Sequence, residues 1–425
     1  MYISLCSCLG KIMEKIVVTQ IDDHLRSKSP LHNAQYGFMA NRSTLNNLLF
    51  TDAHIAQLTS KQHCFDIISF DFAKAFDKAP HDAVVKAASL HGISGMALKW
   101  IKSFLTERTQ QVRVGSSYSS PTDVISGVVQ GSVCGPRLYT IFIDSLIRKI
   151  RLPLAGFADD IKFLADVAIH SAEEVQTEIN VVVDWSKENH TPLSAPKCGV
   201  LHCGVQPSPH KYVIEGTAMP SIDTFTDLGV RRTGAVMHSD HYREHYEHVV
   251  SAAAKKIGFL RQAFRSRARE LMWPAFMTYV LPSLMYCSPA WNPSLQRDIQ
   301  AIENVQRRYT KHIRGLENLS YKERLQELGA LSLANRRSLA DMATTFKYLH
   351  GIVDCPASDV GLAHTESNTV PGLEVFTSSS TESPQRDVLC TIIIVCNLSG
   401  TNCHCLSHKP SRINRLKKSC VRDCF

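Results

Sequence analysis

Two apolar segments that each run into aspartate restrict this chain more than any other feature. Phe65-Asp66-Ile67-Ile68-Ser69-Phe70-Asp71-Phe72 is β-branched and aromatic with partial alternation, which reads as a strand ending at Asp71. Eighty-eight residues beyond Asp71, Leu154 to Leu164 runs apolar, acidic, apolar, which reads as a hairpin with Asp159 and Asp160 at its tip. A strand end and a hairpin tip on one sheet edge bring three carboxylates together. Carboxylates are hard oxygen ligands, and such a set suits Mg²⁺ that keeps some waters and binds substrate phosphates. Two such ions lower the pKa of an attacking hydroxyl and stabilise a leaving group in an in-line transfer. An Asp pair in a turn can also serve turn geometry and solubility alone. Here the flanks are apolar strands rather than polar loop, which favours a site.

The rest of the chain supports a multidomain protein built around that sheet. At 425 residues, 44% of them apolar and 20% charged, it is long enough for two or three domains and has ordinary globular composition. Helical spacing appears over 11–26 (Ile12, Ile16, Ile21, Leu25) and 44–58, then near 80–91 and 95–106. Strand-like stretches at 111–114 and 123–126 precede a Gly-rich turn and a helix with the stripe Leu138, Ile141, Phe142, Leu146, Ile150. Ser171 with Glu174 is a capping box that opens a further helix. Short strands near 199–202, 212–214 and 225–230 complete a mixed α+β region ending near 232. From 241 to 351 the pattern is helical throughout: 243–267, 270–286, 297–314, 321–328 behind a capping box at Ser320 and Glu323, and 334–350 with Gly351 at its end. After Asp354 periodicity vanishes, and the last 70 residues read as a linker and poorly ordered tail.

Charge and cysteine usage narrow the function classes. The net charge is +8, and residues 241–350 hold 17 Lys and Arg against nine Asp and Glu, so the helical region carries the whole surplus. That asymmetry points to a polyanionic partner. Of 14 cysteines, six crowd into the last 36 residues, and the body reads as a reduced, intracellular protein, cytoplasmic or nuclear. The opening lacks a basic region ahead of its apolar residues, and no run of about 18 apolar residues could span a bilayer. A soluble protein with no membrane partner is expected; the oligomeric state is not legible.

Three segments in order, Phe70-Asp71-Phe72-Ala73-Lys74-Ala75-Phe76-Asp77, Gly127-Val128-Val129-Gln130-Gly131-Ser132-Val133-Cys134-Gly135-Pro136 and Phe157-Ala158-Asp159-Asp160, resemble the palm motifs of reverse transcriptases. The likeness is to the enzymes of non-long-terminal-repeat (LINE-type) retrotransposons, jockey-like ones above all, and runs from about residue 3 to 352. Gln35-Tyr36-Gly37-Phe38 with Asn41-Arg42-Ser43-Thr44 resembles the fingers motif of that family. Trp185 through Lys197-Cys198 resembles the motif after the Asp pair, and Phe225-Thr226-Asp227-Leu228-Gly229 the primer-grip segment. Glu303 to Arg308, Tyr321 to Leu325 and Asn335-Arg336-Arg337 fall where these elements carry thumb and connecting sequence.

The resemblance implies an α+β right-hand polymerase fold: partial fingers (1–62), a palm of antiparallel sheet with helices (63–232), an all-α thumb and connecting region (233–352) and the tail (353–425). It implies an RNA-directed DNA polymerase that uses an RNA template, a DNA primer and deoxynucleoside triphosphates, with Mg²⁺ or Mn²⁺ held by Asp71, Asp159 and Asp160. Phe76 becomes the steric gate against a 2′-hydroxyl, or else a core aromatic. Gln130 and Gly131 approach the incoming nucleotide, or else form a plain turn. Arg42 reaches the triphosphate and Lys197 protonates the leaving pyrophosphate, or each is an ordinary surface cation. Arg261, Arg265 and Arg269, four apart, are expected on one helical face that binds a template–primer duplex.

Departures from the family pattern set the alternative, a catalytically silent nucleic-acid-binding remnant or domesticated protein. Val129 stands for the usual Pro, Phe157 for the usual Tyr, and Cys134 and Arg137 for apolar residues. Arg137 in a packed helix is expected to be costly unless paired. Met1-Tyr2 stands where Arg-Pro is expected, which reads as truncated fingers without an upstream endonuclease. In the tail, Cys396, Cys403, His404, Cys405 and His408 are zinc ligands in kind but not in spacing, and a frame-shifted end explains them equally.

Overall fold

The computed structural model describes residues 4, 6–204, 210–235 and 238–360, and beyond them the backbone of four strands, Leu362–Glu366, Leu373–Ser378, Ile392–Asn397 and Cys403–Ser407. Two compact units are present. The first comprises Met1–Asn47 and His63–Ile222, the second Leu48–Gln62 and Asp223–Phe425.

In the first unit the sheet forms as its sequence demands. Strands β1 (Phe65–Phe70), β2 (Leu154–Phe157), β3 (Asp160–Asp166) and β4 (Gly199–Cys203) make an antiparallel sheet in the order β2-β3-β1-β4. All six residues of β1 are buried, because both faces of this central strand are covered; its alternation is therefore only partial. The register pairs Phe70 with Ile161 and Ser69 with Gly199, so Asp71 emerges beside the β2–β3 turn. Helices α1 (Cys8–Lys28), α3 (Cys134–Ile147) and α4 (Ala172–Glu188) supply Ile21, Leu25, Leu138, Phe142, Leu146, Ile179 and Trp185 to the core. The Ser171–Glu174 capping box is formed. In α1 only the second half of the apolar stripe is buried; Ile12 and Ile16 are exposed.

Helix α2 (Thr44–Ser60) crosses the seam between the units at Asn47. The second unit resumes at Asp223 and opens with a hairpin, β5 (Thr224–Asp227) and β6 (Val230–Thr233). Inside this unit is a buried ion network that sequence periodicity does not reveal. Arg232 is fully buried; it pairs with Asp52 of α2, donates from Nε to Asp227 Oδ2 at 3.2 Å and from Nη1 to the Tyr242 hydroxyl at 2.7 Å, and that hydroxyl donates to Asp52. Helices α5 (Arg243–Ala263), α6 (Gln296–Thr310) and α7 (Leu333–Leu349) form the frame of this unit. The expected helix 270–286 is broken into Arg269–Ala275, a π-turn over Phe276–Val280, and Leu281–Met285. Pro274 and Pro282 cannot donate to the helical ladder, which accounts for the break. The capping box at Ser320 and Glu323 holds, as does the left-handed Gly351.

Past Asp354 the four described strands pair as an antiparallel meander. The β-branched run Ile392–Val395 is its clearest sequence signal. The side chains of Cys396, Cys403, His404, Cys405 and His408 lie outside the described residues. No described helix is long and apolar enough to cross a membrane.

Candidate active site

Asp71 and Asp159 lie at the same end of the sheet, near enough for the charge of Asp71 to act on the Asp159 carboxyl. Asp71 follows β1, and its carbonyl accepts from Ser194 N at 2.7 Å, which ties the strand end to the segment leading into β4. Its side chain is paired with Lys197, whose Nζ lies 3.2 Å from Oδ2. The pair is an ion pair only: Oδ2 is shut from solvent and accepts no hydrogen bond. Asp159 occupies the two-residue turn between Phe157 and Asp160. Burial first, and then the neighbouring Asp71 carboxylate, hold the Asp159 carboxyl above the usual carboxylate range, against the opposing pull of its own backbone N–H and of Lys197. Two neighbouring carboxylates, one of them desolvated and the other with an oxygen that accepts no hydrogen bond, fit a divalent cation.

Asp160, next in sequence to Asp159, is the first residue of β3 and exposed. Among the described residues, no group of three or more His, Cys, Asp or Glu side chains is assembled to hold a metal ion.

The Gly-rich segment lies against the stretch after β1. Val128 N donates to Phe76 O and Gly127 N to Ala79 O, each at 2.8 Å, and the Gln130 carboxamide donates to Asp77 Oδ1 at 2.6 Å. Gly127 has φ +90°, and a Cβ there would lie 2.7 Å from Asp77 O, so no other residue fits without moving the backbone. Gly131 is exposed at the tip. Phe76 is half-buried, stacked on Tyr139 at 4.3 Å with the edge of Phe38 at 6.0 Å.

Helix α3 lacks a side-chain cap of its own. Buried Glu14 of α1 substitutes, accepting from Val133 N at 2.6 Å and Cys134 N at 3.0 Å. A carboxylate at a helix N-terminus also meets the favourable end of the dipole. One helical turn pair further along α1, Asp22 holds Arg137, with Nε 2.6 Å from Oδ1. The unfavourable arginine of the sequence reading is thus compensated by a residue 115 positions away.

The family described as reverse transcriptase (RNA-dependent DNA polymerase) matches residues 1–242, more than half the chain. The chain belongs to the reverse transcriptase family. Its relatives include the probable RNA-directed DNA polymerase from transposon BS of Drosophila melanogaster, 30% identical over 44% of this chain and 21% of the relative. The RNA-directed DNA polymerase from mobile element jockey of Drosophila funebris is 22% identical over 73% of this chain and 35% of that relative. The chain therefore spans about a fifth to a third of the length of these relatives. Among solved structures, apo telomerase from Candida tropicalis aligns with 72% of this chain and 49% of its own at 11% identity, with a TM-score of 0.41. The jockey-like resemblance accords with the family match and the jockey relative, and the mixed helical and antiparallel fold with the elements described above.

Arg42 donates from Nη1 to Asn33 O at 2.5 Å and to Gln35 O at 3.0 Å within its own loop. Arg261, Arg265 and Arg269 do not share a helical face, because α5 ends at Ala263 and Phe264 is extended. Arg269 instead opens the next helix and pairs with Glu327. Sequence reasoning missed Glu14, Asp22 and Arg232; buried charge shows in a sequence only as a charged residue on an otherwise apolar stripe, and Glu14 among Ile12, Ile16 and Val17 is such a signal.

Proposed function

We propose that this chain carries the RNA-directed DNA polymerase activity of a non-long-terminal-repeat retrotransposon, adding deoxynucleotides to a primer 3′-hydroxyl on an RNA template. The observation that carries this reading is the placing of Asp71 and Asp159 at one end of the sheet, with the Asp159 carboxyl raised by burial and by the charge of Asp71, in a reverse transcriptase domain. Asp71 and Asp159 would hold Mg²⁺, or Mn²⁺ in its stead, with Asp160 beside them. Bound there, the ion neutralises developing charge on the transferred phosphoryl group. Lys197 sets a cation beside the same acids, where a leaving pyrophosphate gains a charge partner and a proton. Phe76 offers its ring to the incoming sugar, Gln130 and Gly131 line its approach, and Arg42 braces the loop before it.

The free thiols among the described residues, Cys134, Cys198 and Cys203 included, accord with a reducing intracellular setting, cytoplasmic or nuclear. Burial pushes the Cys134 thiol up to about 12, so it stays neutral. Primer extension on a homopolymer RNA template with Mg²⁺ tests the reading. The wild type extends the primer, and Asp159→Asn lowers the rate by about 10²-fold or more, the scale on which losing one electrostatic partner of a transition state acts. A wild type without extension, or an Asp159→Asn variant with full extension, overturns it.

A further inference from the structure

The turn that carries Asp159 is held in an unfavourable backbone conformation. Ala158 has φ +59°, in the left-handed region that β-carbon residues avoid. Such a conformation persists only where its surroundings over-determine it. The surroundings here centre on one side chain. Gln35 is wholly buried, and its Oε1 accepts from Ala158 N at 2.9 Å and from Gly37 N at 2.7 Å, while its Nε2 donates to Ala158 O at 3.3 Å. Both polar groups of residue 158 are therefore satisfied by one carboxamide. Gly37 lets the chain close in: a Cβ there would lie 2.3 Å from Ala158 N. Backbone bonds between Tyr36 N and Gly156 O and between Gly156 N and Ala34 O, each 2.8 Å, fix the same segment along β2.

We propose that Gln35 is a positioning residue for the acidic turn, its carboxamide clamping Ala158 in the left-handed conformation that brings Asp159 to Asp71. The inference rests on reading those two acids as the metal-binding pair. It also makes a distinctive demand: a glycine at 158 adopts positive φ without penalty, so the clamp matters less when residue 158 is glycine.

The experiment compares full-length wild type, Gln35→Met, which keeps volume and removes all three hydrogen bonds, and the double variant Gln35→Met/Ala158→Gly. Two readouts are used: amide exchange across 155–163, and Mn²⁺ affinity from the electron paramagnetic resonance of free Mn²⁺. Gln35→Met should speed exchange in the turn and weaken Mn²⁺ binding about tenfold, the usual cost of removing a group that orients a metal ligand. The double variant should recover most of both. Should the Met variant fold poorly, Gln35→Glu serves: its carboxyl keeps the acceptor, donates to Ala158 O when protonated and repels that carbonyl when charged, so its departure from wild type at the same pH grows as pH rises. Wild-type exchange in Gln35→Met, or a loss that Ala158→Gly does not reverse, overturns the clamp. Failure of the wild type to bind Mn²⁺ or extend a primer overturns the polymerase reading instead, with the clamp still judged by exchange.

Discussion

Phe76 shows how one side chain can have two roles that experiment separates. Its ring is stacked on fully buried Tyr139 and still partly exposed. Truncation to Ala should cost about 2 kcal/mol, roughly half of what a fully buried Phe→Ala costs. If the exposed part is the wall against a 2′-hydroxyl, Phe76→Ala also raises the ratio of ribonucleotide to deoxyribonucleotide incorporation. A loss of melting temperature with an unchanged ratio would leave Phe76 as packing alone. At this scale the sequence was informative where chemistry is local. Asp71 and Asp159 stand out because acids at the ends of apolar runs have few structural uses. The partner that Arg137 needs, Asp22, was not legible, because it lies on another helix and no local pattern announces the pairing. Gln35 was legible as part of a motif but not as a clamp, since nothing in the sequence shows that Ala158 takes positive φ.

Elements were legible to the extent that their periodicity is set by one buried face. Both capping boxes, the central strand and the acidic hairpin follow from spacing alone. What spacing misses is where a helix stops when no Gly or Pro marks the end, as at Ala263, and which unit a helix serves, as with Leu48–Gln62. Helix α7 contains a charge that periodicity passes over. Asp341 accepts from Asn292 Nδ2 at 2.5 Å through Oδ2, while its Oδ1 is shut from solvent without a partner. Burial pushes its carboxyl up to about 7, against the Asn292 bond and the charge of Arg337. An unfolded Asp titrates near 4, so between about pH 4 and 7 the folded chain binds the extra proton and stability falls as pH rises. Above pH 7 the full cost of the buried charge is present; below pH 4 it is absent. Asp341→Asn should therefore raise the melting temperature at pH 8, by about 1–3 kcal/mol in stability terms, and leave it unchanged at pH 4. Equal effects at both pH values would show that the carboxyl ionises normally.

At the scale of the whole molecule the charge distribution separates two tasks. The first unit gathers carboxylates at one end of its sheet; the second holds the entire positive surplus in residues 241–350. A chain that handles a template and primer needs the second as much as the first, because phosphate neutralisation supplies sequence-independent affinity. The structure redirects which cations to test. Arg269 is engaged with Glu327, and Arg267 is turned back on the carbonyls of Arg261 and Phe264. Exposed Arg307, Arg308 and Lys311 instead border an open pocket of about 710 Å³ with Tyr321 and Arg324. Arg324 is buried and fully engaged with Thr310 Oγ1 and the carbonyls of Leu319 and Arg307, so it braces the wall rather than offering charge. Binding of the full chain to a duplex should weaken with salt on a log–log slope of about −0.9 per phosphate neutralised on DNA. Replacing Arg307, Arg308 and Lys311 together with Ala should flatten that slope by up to about three contacts, whereas Arg269→Ala, which removes a cation already paired, should leave it near wild type. The reverse pattern would return the duplex-binding role to the Arg269 end of the unit, and a salt-insensitive wild type would mean that these charges serve solubility, leaving the polymerase reading to rest on Asp71 and Asp159.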